Sequence, residues 1–94
     1  MASIYDINTP AFVIDLDKLK TNLELLKSIK EETKAKILLA QKAYSCFYTY
    51  PLIAKYLDGT TASGLYEARL GYEEFKKEVH IFSPAYKAKD MEEI

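Results

Sequence analysis

The stretch ILLAQKAYSC, residues 37–46, decides how the rest of the chain is read. Together with the two residues before it, it forms the short run AKILLA, residues 35–40, which is continuously apolar after Lys36. Such a run, too short for a helix and without a polar face, is what a parallel strand covered on both sides looks like. Lys42 therefore falls just past the carboxyl end of a strand, whereas nearly all the other lysines are scattered among glutamates and aspartates where water reaches them.

Working outward, the apolar period changes repeatedly. Pro10 opens AFVID, residues 11–15, a β-branched and aromatic run of strand type. Leu16, Leu19, Leu23, Leu26 and Ile29 then recur at three and four residues, with Asp17 placed to cap an amphipathic helix that ends near Lys30. After the strand at 35–40 and a loop from Lys42 to about Thr49, Pro51 suits the first turn of a helix, PLIAKYL, closed by Asp58 and Gly59. Residues 60–63 make a minimal third strand. Residues 64–75 read as a helix with Leu65, Ala68, Tyr72 and Phe75 on one face and Ser63 at its cap. VHIFS, residues 79–83, is a fourth strand stopped by Pro84, and residues 87–94 begin another helix.

Strand and helix alternate throughout, which predicts an α/β fold of parallel βαβ units. The later units repeat at about twenty residues, the spacing of a (β/α)8, TIM-type barrel, which needs roughly 250 residues when complete. The 94 residues are then expected to hold the N-terminal portion of such a barrel, about four parallel strands with their helices. Four strands alone would leave two open edges and a bare inner face, so the chain is expected to be a piece of something larger or to complete itself with another chain.

Composition narrows the function. Thirteen basic and fourteen acidic side chains leave a net charge of −1, without the electrostatic footprint of a nucleic-acid or anionic-membrane binder. The single cysteine, Cys46, has no partner in the chain, and no run is long enough for a signal peptide or a span of about twenty apolar residues. A reducing, cytoplasmic setting is the expectation. Gly59, Gly64 and Gly71 are too dispersed to cradle a phosphate.

In parallel α/β folds ligands sit at the carboxyl ends of the strands. Lys42, Thr61, Ser63, Gly64, Ser83, Pro84 and Tyr86 all fall at such ends. Lys42 also has Tyr44, Phe47, Tyr48 and Tyr50 close by in sequence; were they to dehydrate its amine, the neutral form would be a nucleophile able to condense with an aldehyde. The alternative is a lysine that only snorkels from a strand end. His80 lies inside the fourth strand and reads as a packed or half-exposed strand histidine, and Cys46 as a loop or core thiol.

Four segments, TPAFVIDLDKLKTNLELL, ILLAQKAYS, ASGLYEARLG and VHIFSPAYK, in this order and spacing, resemble the N-terminal part of the carboxynorspermidine (carboxyspermidine) decarboxylases. These belong to the fold-type-III, alanine-racemase- and ornithine-decarboxylase-like pyridoxal-phosphate enzymes. The resemblance runs from about Thr9 to the end and rests on the order of the segments. It implies that Lys42 is the catalytic lysine that joins pyridoxal 5′-phosphate as a Schiff base, and that the full-length parent converts a carboxylated polyamine to norspermidine or spermidine plus CO2. It further implies that Ala40 is the small residue packed beneath the cofactor, though an ordinary core alanine reads the same way. Glu67 matches an acidic residue near the cofactor after the third strand, and equally suits a first-turn glutamate favoured by the helix dipole. Thr61 stands where ornithine decarboxylases carry aspartate, which argues against that activity.

By the same resemblance, residues 1–94 are a partial cofactor-binding barrel domain. The rest of the barrel, the carboxylates that select the substrate, the partner of the pyridine nitrogen, the family's catalytic cysteine and a β-rich domain would all lie downstream. The parent is expected to work as a homodimer, without metal, nucleic acid or membrane, and the 94-residue chain alone to be catalytically silent. Two other readings stay open: another fold-type-III protein, such as a diaminopimelate- or arginine-type decarboxylase or a pyridoxal-phosphate carrier, and a non-catalytic half-barrel that serves as an association module.

Overall fold

The computed structural model describes residues 4–94. Its centre is a three-stranded parallel sheet in sequence order, β1 (Leu38–Ala40), β2 (Gly59–Ala62) and β3 (Glu78–Ile81). Leu39, Thr60 and Val79 share one row, and Ala40, Thr61 and His80 the next. Because side chains alternate across a strand, these two rows face opposite ways. The first faces the helices: Leu39 packs against a core of Leu23, Tyr50, Ile53, Leu57 and Phe75, joined by Leu19, Leu26, Ile37 and Leu70. Each fully buried apolar side chain there contributes about 1.5–3 kcal/mol. The second row stays open, with Ala40 and Thr61 partly exposed and His80 exposed.

The predicted strand at residues 11–15 does not form, so the strand count is three rather than four. Those residues form no regular element, and Phe12 and Val13 are exposed. A strand is stabilised only through a hydrogen-bonded neighbour, and no described element pairs with this one.

Helix α1 (Leu16–Thr33) is capped two residues earlier than expected, by Asp15, whose Oδ1 accepts the Asp17 and Lys18 amides at 3.0 and 3.1 Å. Asp17 instead sits in the first turn, where its charge suits the helix dipole. The helix runs past Lys30 and ends where Lys34 turns left-handed, at φ 58°. Of the predicted stripe, Leu19, Leu23 and Leu26 reach the core, while Leu16 and Ile29 stay exposed.

The predicted helix over residues 51–57 is shorter and shifted. A 3₁₀ turn (Phe47–Thr49) leads into α2 (Tyr50–Ile53), with Pro51 in its first turn as expected. Lysines from other elements take the carbonyls a longer helix would have used. The Lys77 ammonium donates to the carbonyls of Ala54 and Leu57, and Lys30 donates to that of Tyr56 at 3.0 Å. Asp58 then ties the layers together. Its carboxylate accepts the Ile37 amide at 2.8 Å and the Lys30 ammonium at 3.1 Å, joining the entry of β1 to the last turns of α1. The Ile37 amide first, and Lys30 after it, outweigh partial burial and hold the Asp58 carboxyl below the usual carboxylate range.

The predicted helix over 64–75 splits into α3 (Leu65–Leu70) and a π-helical turn (Gly71–Phe75). Ser63 does not cap it with its side chain; its amide instead donates to Glu67 Oε1 at 3.3 Å. The wider turn changes the phase of the face. Gly71 and Phe75 are buried, whereas Tyr72, expected on the buried face, is 77 % exposed. Gly71 is required by its neighbour: a Cβ there would lie 2.3 Å from Thr60 Oγ1 and 3.2 Å from Gln41 Nε2. Strand β3 starts one residue before the predicted VHIFS and leaves Phe82 exposed. Helix α4 (Ala88–Glu93) matches the expected final helix; the Asp90 carboxylate accepts the Lys87 amide, and Glu93 pairs with Arg69. Among the described residues no helix is long and apolar enough to cross a membrane.

Two measurements test this packing. Gly71→Ala should lower the unfolding free energy in urea by about 1–3 kcal/mol through overpacking. In a Thr60→Ala background, where the nearest oxygen is gone, the same change should cost far less, so a cycle in which the two effects simply add would refute the contact. Asp58→Asn should cost about 1–3 kcal/mol at neutral pH, the scale for hydrogen bonds to a charged group. Because the folded carboxyl is shifted downward, that contribution is full above the unfolded value of about 3.9 and disappears as pH falls through the lower folded value. The gap between parent and variant should therefore close in acid; a gap that widened on acidification would show the sign to be wrong.

Candidate functional site

The carboxyl end of β1 closes in a tight turn. The Ala40 carbonyl accepts the amides of both Ala43 and Tyr44, at 3.1 and 3.2 Å, and the Gln41 amide continues the ladder to the Thr61 carbonyl at 3.4 Å. Lys42 stands at the tip of this turn and is exposed. Among the described residues it makes no ion pair or hydrogen bond. Ala40, the last strand residue before the turn, lies on the open face in one row with Thr61 and His80. The strand-end position of Lys42 expected from the sequence is thus present.

The aromatic cover expected over Lys42 is arranged differently. Tyr48 is 84 % exposed and stacks on Phe47, with ring centroids 4.6 Å apart. Tyr50 is wholly buried, and its ring meets Phe75 edge-on at 5.4 Å. Tyr44 and Thr49 brace the loop. The Thr49 hydroxyl donates to the Cys46 carbonyl at 2.8 Å, so its single proton is used and the Tyr44 hydroxyl donates to Thr49 Oγ1 at 2.7 Å. Cys46 is a partly buried loop thiol, as expected. His80 is exposed, with Nε2 3.7 Å from Glu78 Oε1, in the same row as Ala40 but two strands across the sheet.

Sequence reasoning passed over Gln41, which is 2 % exposed. Its Nε2 donates to the carbonyls of Glu67, at 2.8 Å, and Thr61, at 3.3 Å, while its Oε1 accepts the Tyr50 hydroxyl at 3.0 Å. Burial, and secondarily the nearby Glu67 charge, push the Tyr50 phenol upward, so it stays protonated and able to donate. The signal was available as parity: Gln41 shares it with Ile37 and Leu39, the residues that enter the core. Glu67 is half-buried in the first turn of α3, with its carboxylate on the Ser63 amide and its carbonyl on Gln41. This combines the dipole position with a place at the carboxyl end of β2.

A broader groove lies elsewhere, between Leu65, Ala68 and Arg69 on one side and Val79, Ile81 and Glu93 on the other; Lys42 is not part of it. Among the described residues no group of three or more histidines, cysteines or carboxylates could hold a metal ion.

No family model matches the chain. It is 43 % identical over 88 residues to the carboxynorspermidine/carboxyspermidine decarboxylase of Campylobacter jejuni, a match that covers 94 % of this chain and 23 % of that protein. The enzyme of that name from Herminiimonas arsenicoxydans is 38 % identical over 94 % of the chain and 24 % of its own length. The carboxyaminopropylagmatine decarboxylase of Synechocystis is 36 % identical over 88 % of the chain and 21 % of its own length. Among solved structures, the crystal structure of carboxynorspermidine decarboxylase from Campylobacter jejuni complexed with norspermidine matches with a TM-score of 0.89 at 42 % identity, over 93 % of this chain and 24 % of that one. The chain spans about a quarter of the length of these relatives. Over nearly all of its own length it is similar to the N-terminal part of the carboxynorspermidine/carboxyspermidine decarboxylases.

Proposed function

We propose that residues 1–94 form the N-terminal portion of a pyridoxal-phosphate-dependent decarboxylase that converts carboxynorspermidine or carboxyspermidine to norspermidine or spermidine and CO2. The observation that carries this is the likeness to a decarboxylase complexed with norspermidine, at 42 % identity and a TM-score of 0.89. The sheet supports a barrel origin. Its strands follow sequence order, and the helical core packs on the Leu39 row while the Ala40 row is left open, as in one arc of a (β/α)8 barrel. In the whole protein the open row would face the barrel interior, and the parent would act as a cytoplasmic homodimer.

The residues present suit the cofactor. Lys42 offers an exposed primary amine at the carboxyl end of a parallel strand, free of any partner among the described residues. Ala40, which opens the turn, adds no bulk there, and Glu67 places a carboxylate at the end of the neighbouring strand. Lys42 would hold the aldehyde carbon, with Ala40 and Glu67 as its neighbours. When bound, pyridoxal phosphate supplies the electron sink for breaking the Cα–carboxylate bond. This chain's own share is to fix the amine through the Ala40 turn, to leave room beside it, and to set the loop after β2 through the contact between Glu67 and Ser63. The likeness to a carboxyaminopropylagmatine decarboxylase favours, as a second reading, a substrate in which agmatine carries the carboxylated arm.

The full-length protein that carries this chain, loaded with pyridoxal phosphate and reduced with borohydride, should retain the cofactor on Lys42 by peptide mass mapping. Lys42→Ala should lose both the label and measurable turnover. Labelling of another lysine with turnover intact in that variant would overturn the assignment. Comparing carboxynorspermidine, carboxyspermidine and carboxyaminopropylagmatine as substrates separates the two readings. The 94-residue chain alone should show no turnover of any of them.

A further inference from the structure

The turn that carries Lys42 and the turn that leads to Glu67 belong to different βα units; the backbone ladder joins them only as far as the Gln41 amide and the Thr61 carbonyl, at 3.4 Å. One side chain carries the link on into α3. Gln41 follows Ala40 out of β1 and enters the helical layer, 2 % exposed, while Lys42 stands exposed at the tip of the turn. Its primary amide is used at both ends. Nε2 reaches the Glu67 carbonyl in the first turn of α3 and the Thr61 carbonyl in β2, and Oε1 takes the proton of Tyr50 at the start of α2. Glu67 in turn receives the Ser63 amide on its carboxylate. The packing leaves no slack: the Cβ site above Gly71 is only 3.2 Å from Gln41 Nε2, and the Tyr50 ring is held against Phe75. The two carbonyls fix the orientation of this buried amide, because turning it over would set Oε1 against the Thr61 and Glu67 carbonyl oxygens.

We propose that Gln41 is a positioning residue that locks the Lys42 turn and the Glu67 turn into one rigid unit, so that the amine and the carboxylate are presented to the cofactor at a fixed separation. This rests on the decarboxylase reading for its catalytic consequence, but the coupling itself is a property of the fold. It acts from beneath the site: Gln41 faces the helical layer and touches neither cofactor nor substrate. Its effect is therefore on the geometry of the site and leaves the chemistry to other groups.

The test uses the full-length protein with Gln41→Met, which keeps the length of the side chain and removes both hydrogen-bonding ends, and Tyr50→Phe, which removes only the partner of Oε1. Amide hydrogen exchange without cofactor reads the coupling directly. In Gln41→Met, the peptides covering residues 42–46 and 63–68 should both exchange at least about tenfold faster, the factor expected for the loss of roughly one hydrogen bond, and Tyr50→Phe should move the same two peptides by less. With cofactor, borohydride labelling of Lys42 should slow in the same order, and kcat should fall while KM stays nearly constant, a split that a merely loosened fold would not produce. Faster exchange in residues 42–46 alone, or labelling and kcat within twofold of the parent, would overturn the proposal. Tyr50→Phe keeps the test decisive should Gln41→Met fold poorly. If the parent itself is not labelled at Lys42, the decarboxylase reading fails, and the exchange result still decides the coupling.

Discussion

Each peptide unit of a strand turns its side chain to the face opposite the last; in β1 this sends Leu39 into the helical layer and Ala40 to the open face, and the turn that follows buries Gln41 and leaves Lys42 exposed. The rest of the molecule follows from that division. On the Leu39 side, α1, α2 and the π turn below α3 meet in a single apolar cluster around Tyr50, Ile53 and Phe75. On the other side the sheet is left bare, with an amine at its rim and a small alanine beneath. Lysine at position 41 would have buried a charge and left the Tyr50 hydroxyl without its acceptor, and glutamine at 42 would have been wasted on water. The order of these two residues matters more than their presence.

The cation–carboxylate contacts are divided in the same manner. Asp58 with Lys30, and Glu78 with Lys36, cluster where the strands begin, and Lys77 closes the end of α2. These contacts fasten the entry side of the sheet. The Lys36 pair is exposed and adds little, whereas Asp58 is half-buried, bonded to a backbone amide, and so contributes more. The exit side carries the unpaired amine. A rigid base with an unencumbered rim is the arrangement a ligand site at strand ends calls for.

Three strands, the long first helix and the strand-end place of Lys42 were legible in the residues because they depend on short-range periodicity. What escaped was whatever depends on a distant partner. Residues 11–15 have strand composition but no neighbour to pair with. The cap fell to Asp15 because its side chain could reach two amides, a choice between two aspartates that spacing alone does not make. Tyr72 looked inward on a 3.6-residue wheel and turned out to face water, because Gly71 sits on Thr60 and widens the turn. Gln41 was overlooked because a polar residue next to a candidate lysine reads as loop; its parity with Ile37 and Leu39 argued otherwise. The roles of Lys42, Ala40 and Glu67 toward a cofactor rest on resemblance, since a strand end shows only where an amine stands and not what it reacts with.

The widened turn at Gly71–Phe75 has a further meaning for how this segment can vary. A π turn amounts to one surplus residue accommodated inside a helix. Here it forms the last turn of the segment, closed where Lys76 turns left-handed at φ 63°, so the surplus residue is taken up just before β3. Loss of one exposed residue here, such as Tyr72 or Glu73, would restore an ordinary helical repeat rather than break one. A single-codon deletion here would be absorbed within the turn, while the same deletion within α1 would rotate its leucines out of the core.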